Sequence, residues 1–148
     1  MMNKLTSVVA FSALFAASSV MAADVNVTIA NGYAAVGTTT GINNARSVAF
    51  TALANRAGFV KNNFDATLSA NVIAGVNDDA ANSRFGVVAA SNKGYTVFTG
   101  SSVGGSIAQC GDIVPKTTTN LASSFVVTAS LNLANANGCG RSSAAATP

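Results

Sequence analysis

At 148 residues, with a formal net charge of +3 and only 9% charged residues, the chain has room for one domain. Its Lys and Arg are too few and too scattered to build a nucleic-acid or membrane-surface footprint. It contains no His, no Trp and no Glu, which excludes histidine-based nucleophile systems and histidine metal sites.

The first residues read as an export leader. Asn3 and Lys4 give a short positive region, Leu5 to Val20 an apolar core interrupted only by small Ser and Thr, and Val20-Met21-Ala22 a peptidase motif that places cleavage between Ala22 and Ala23. The apolar run is short for a bilayer span, which needs about 20 residues, and no basic cluster follows it. The expected organisation is therefore a cleaved signal over 1–22, one globular domain over 23–140 and a flexible tail over 141–148. After cleavage no stable membrane insertion is expected.

In the mature chain, Val25, Val27 and Ile29 alternate with Asn26 and Thr28, the period of a half-buried strand. Asn31-Gly32 ends it, and Tyr33 to Val36 resumes as a second short strand. A strand at the free N-terminus of a mature protein can pair within its own domain or be donated to the sheet edge of a neighbour, so Val25, Val27 and Ile29 form a candidate assembly strand.

From Asn43 to Ala57 the pattern reads as a helix, with Ala49, Leu53, Ala57 and Val60 on one face, Asn43 as cap and Gly58 as terminator. Leu68, Ala70, Val72, Ala74 and Val76 then predict one long strand from Ala66 to Val76, broken by an exposed turn at Asn77-Asp78-Asp79. Those acids, with Asn77 and Asn82, match no defined calcium loop. Arg84 to Thr99 is a hairpin turning at Ser91-Asn92-Lys93-Gly94, Val103 to Ala108 a further short strand, and Phe125 to Leu133 the last alternating strand.

Cys110 and Cys139 are the only cysteines. Too far apart for a redox pair, they read as a disulfide closing a loop of about 30 residues, worth roughly 3.5 kcal/mol by a chain-entropy argument. Such a bond belongs to the periplasm or the cell exterior.

The fold expected is α+β, an antiparallel sheet of about five or six strands with one helix in the N-terminal half packed on a face; an all-β sandwich is the alternative. The five acids offer one adjacent pair, Asp78 and Asp79 in the expected turn, and no phosphate loop or Ser-Lys helix face is found, so no enzyme, cofactor or metal site is expected. The function expected is an exported structural subunit of an extracellular filament, a fimbria- or pilus-like fibre or surface matrix, whose partners are copies of itself joined through strand edges and apolar contacts. The alternative is a monomeric periplasmic or secreted module binding a sugar or peptide, with Tyr33 and Tyr95 as contacts.

Overall fold

The structure, a computed structural model, describes residues 22–37 and 42–142. Eight strands form two sheets: β1 (Ala22–Thr28), β2 (Gly32–Val36), β3 (Arg46–Thr51), β4 (Phe64–Leu68), β5 (Val72–Asp79), β6 (Arg84–Ser91), β7 (Val97–Ser101) and β8 (Ala108–Gln109). The larger sheet runs β2-β5-β6-β7-β8, antiparallel throughout, and the smaller runs β1-β3-β4. In the smaller sheet β1 lies parallel to β3, whereas β4 is antiparallel to it.

The molecule is all-β with little helix, so the α+β expectation gives way to its alternative. The expected helix over 43–57 is instead β3 followed by a single 3-10 turn at Ala54–Arg56. Ser47, Val48, Phe50 and Thr51 are β-branched, aromatic or hydroxyl residues that favour extended backbone, and Arg46, Val48 and Phe50 alternate inward. A helical stripe with alanine at two of its four positions buries less than this strand does with a partner on each edge.

The single long strand expected over 66–76 divides at Ser69–Asn71, where Val72 N–H donates to the Ser69 carbonyl and Asn71 takes a positive φ of 64°. The chain there leaves the smaller sheet as β4 and enters the larger as β5. The expected break at 77–79 is absent: β5 runs on through Asp79, and the turn falls at 80–83. Asp78 is fully buried there because its carboxylate accepts the backbone N–H groups of Phe59 (2.8 Å) and Val60 (3.1 Å). Gly58 leaves room for it, since a Cβ at that position would lie 2.4 Å from a carboxylate oxygen.

Phe125 to Leu133 is not a strand either. Asn120 caps a one-turn helix, α1 (Leu121–Ser124), a 3-10 turn follows at Thr128–Ser130, and Leu131 makes only an isolated bridge to Cys139. The expected strand from Val103 to Ala108 contracts to the two residues of β8.

Register assigns two faces to the five-stranded sheet. Ile73, Val88, Ala90 and Val97 point to one face, where Leu121, Val126 and Leu131 of the C-terminal segment cover them. Ala34, Val36, Ala74 and Val76 point to the other, where β1 and β3 supply Val27, Val48 and Phe50. Two buried charged side chains tie the layers together. The Arg46 guanidinium on β3 donates to the Val72 carbonyl on β5, and Asp78 on β5 holds the loop after β3.

Replacing Asp78 by Ala leaves the part-buried amides of Phe59 and Val60 without their carboxylate partner, so D78A should lower unfolding free energy by about 2 kcal/mol. Asp79, one residue on, is bonded at the surface, chiefly to Asn82, and D79A should leave the urea midpoint close to that of the unaltered protein. Urea denaturation of both variants checks the contrast.

Candidate assembly site

The assembly strand expected at Val25, Val27 and Ile29 is β1 and the residue after it. Among the described residues β1 has one strand neighbour, β3, with Val25 opposite Val48 and Val27 opposite Phe50. Its apolar side chains are seated in this domain: Val27 and Ile29 are buried and Val25 packs against the same cluster. Ile29 N–H extends the pairing by donating to the Thr51 carbonyl at 2.8 Å. The outward positions, Asn26 and Thr28, are exposed. Ile29, Ala30 and Asn31 then carry the chain from the smaller sheet into β2 of the larger one.

The other edge of the smaller sheet is β4, and no described strand pairs with its far side. Although Phe64 and Ala66 stand opposite the buried Phe50 and Val48, both are exposed. Phe64 stacks on Phe50 with ring centroids 4.6 Å apart. Among the described residues both edges of this sheet are thus polar ladders without a strand beyond them.

Cys110 and Cys139 form the expected disulfide, with Cα atoms 5.3 Å apart. Cys110 N–H donates to the Val97 carbonyl, which fixes the C-terminal segment to the end of β7. Arg141, expected in a flexible tail, is held: its Nη1 donates to the Cys110 carbonyl at 3.0 Å and its guanidinium lies 4.7 Å above the Phe125 ring. The remainder of that tail from 143 onward, and the leader through residue 21, lie outside the described residues. The expected cleavage point, Ala22 and Ala23, coincides with the start of β1, so cleavage there leaves nearly all of the strand.

No family model, curated protein or solved structure matches this chain.

The aspartates of the 77–79 segment do not converge. Asp78 points inward to its two amides, and Asp79 points outward to Asn82, whose side chain and backbone hold its carboxyl below the usual range. Among the described residues no three His, Cys, Asp or Glu side chains are grouped as metal ligands, and no helix is long and apolar enough to cross a membrane.

Tyr33 and Tyr95, the expected contacts of a binding module, are packing residues. Tyr33 lies over Gly75, where a Cβ would come 2.1 Å from its hydroxyl, and donates to the Val126 carbonyl at 2.7 Å. Tyr95 packs on the same cluster from the turn between β6 and β7. A polar cleft of about 620 Å³ does exist elsewhere, lined by Asn31, Asn77, Asp79, Arg84 and Asn132. It draws on residues from β2, β5, β6 and the C-terminal segment, and sequence spacing gave no signal for it.

Burial raises the Tyr33 pKa above its ordinary value. The folded chain thus holds this proton more tightly than the unfolded one, and the associated stability is present below the ordinary tyrosine pKa of about 10 and lost as pH climbs through the raised value. Y33F should cost about 1 kcal/mol at neutral pH and flatten the alkaline fall in the urea midpoint. C139S should lower stability by about 3 kcal/mol under oxidising conditions, and thermal unfolding measures it.

Proposed function

We propose that this chain is an exported, non-catalytic structural subunit that polymerises with copies of itself into an extracellular filament or surface matrix, using β1 as the assembly strand. The observation that carries this reading is the position of β1. It is an edge strand at the N-terminal end of the described chain, held by one strand partner, and its apolar side chains fill a slot in the domain core.

A terminal strand in such a slot can be exchanged between copies with the same contacts made in trans, so exchange requires no new surface. The link at Ala30 and Asn31 is short, so once β1 and Ile29 leave their own slot they reach away from the domain toward a neighbour. Head-to-tail repetition of that contact gives an open chain of subunits. The sparse charge of the sequence opposes such stacking only weakly. Export is supported by the leader pattern and by the disulfide, which suits an oxidising compartment. The second reading, a monomeric sugar- or peptide-binding module, would use the Asn- and Asp-lined cleft, whose convergent polar groups favour it over the two tyrosines.

Negative-stain microscopy of the purified mature protein, or of material sheared from cells, should show regular polymers. Deleting residues 23–30 is a poor complement, because it removes Val27 and Ile29 from the core and should unfold the subunit. A synthetic peptide covering Asp24 to Ala30, added in excess during assembly, should instead occupy the slot and shorten the polymers. A protein that stays monomeric at high concentration, and is indifferent to the peptide, would refute the filament reading and favour the binding module.

A further inference from the structure

The smaller sheet covers only the β2-β5 half of its side of the larger one. On the β6-β7 half, register places Phe85, Val87, Ala89 and Phe98 on that face, with Gly100 beside them; Phe59 stacks on Phe85, whereas Val87 and Phe98 remain exposed. Phe59, stacked on Phe85 with ring centroids 6.2 Å apart, forms one wall of the resulting groove, and Ile107, packed against Gly100, stands at the other. The groove measures about 580 Å³ and none of its lining residues is charged. Its wall is built at some expense, since Phe59 is held by the buried Asp78 carboxylate yet remains 43% exposed.

We infer that this groove is a self-recognition surface, in which a second copy of the chain seats face to face across a two-fold axis. Three observations choose that occupant. Ile107 is 79% exposed and projects beside the groove, so each copy presents a knob next to a hole, the arrangement a self-complementary two-fold contact requires. The lining carries no charge, so apposing the surface to itself brings no like charges together.

The third observation is area. Phe59, Val87, Phe98 and Ile107, exposed by 43%, 37%, 44% and 79%, line one groove and together offer on the order of a few hundred Å² of surface, at the scale that marks an interaction site on a monomer. Two such faces give an apolar core smaller than the roughly 1,200 Å² at the lower end of stable interfaces. The contact is therefore a reversible, concentration-dependent dimer. It uses a different surface from the β1 slot and stands or falls independently of strand exchange. Combined with exchange, it would join filaments side by side.

Sedimentation velocity on the mature protein, cleared of polymer and taken from micromolar to near-millimolar concentration, tests it. A monomer–dimer equilibrium is expected, and Ile107→Asp should weaken it by about tenfold or more, while its thermal midpoint and disulfide stay intact because the side chain is exposed. Ile113→Asp, at another exposed isoleucine outside the groove (66% exposed), should leave the dimer constant unchanged. Equal weakening by both variants, or a wild-type monomer at every concentration, overturns the inference. So does a monomer that binds a fatty-acid probe through the groove, which would assign it to a small apolar ligand. Filaments that persist in Ile107→Asp while dimers vanish separate this contact from the exchanged strand.

Discussion

The architecture follows from one constraint: a five-stranded sheet whose alternate side chains are apolar on both faces needs cover on both. The described chain supplies one complete cover and one partial. On the first face, the irregular C-terminal segment places Leu121, Val126 and Leu131 over Ile73, Val88 and Val97, and the Cys110–Cys139 bridge keeps it there. On the second, β1 and β3 cover the half of the sheet formed by β2 and β5, and the cover stops before β6 and β7. The edge strand β1 and the apolar groove are both products of that partial cover.

Buried charge is used to hold the partial cover in place. Hydrophobic packing between two twisted sheets does not by itself fix where one sits on the other, whereas hydrogen bonds are directional. Arg46 and Asp78 provide such bonds from opposite directions, one from the smaller sheet to a carbonyl of β5, the other from β5 to amides in the loop after β3. An unpaired charge at either depth would be strongly destabilising. The same clasp at Asp78 sets Phe59 on Phe85, so the element that registers the layers also shapes the groove wall.

The sequence made some of this legible and hid the rest for physical reasons. The alternation in β1, the hairpin of β6 and β7 and the pairing of the two cysteines rest on local patterns, and each was readable. Arg46 to Thr51 is ambiguous in sequence because Ala49, Leu53 and Ala57 satisfy a helical period while Val48 and Phe50 satisfy a strand's, and the strand gains two hydrogen-bonded neighbours distant in sequence. Ser69 to Asn71 escaped notice because alternation continues unbroken through a corner where the chain changes sheets. Asp78 looked like a turn residue because the amides that justify its burial lie nearly twenty positions earlier, in a loop with no pattern of its own. The open groove could not be read at all, since the absence of cover is a property of the assembled layers.

The parallel pairing of β1 with β3 has a mechanical consequence. In a fibre whose subunits are joined by this strand, tension directed along β1 would load its hydrogen bonds lengthwise and together, as in a lap joint, instead of peeling them apart singly. Behind that joint the crosslink between Cys110 and Cys139 limits how far the opposite layer can pay out. A thread of such subunits would resist pulling first by shear and then by a covalent stop.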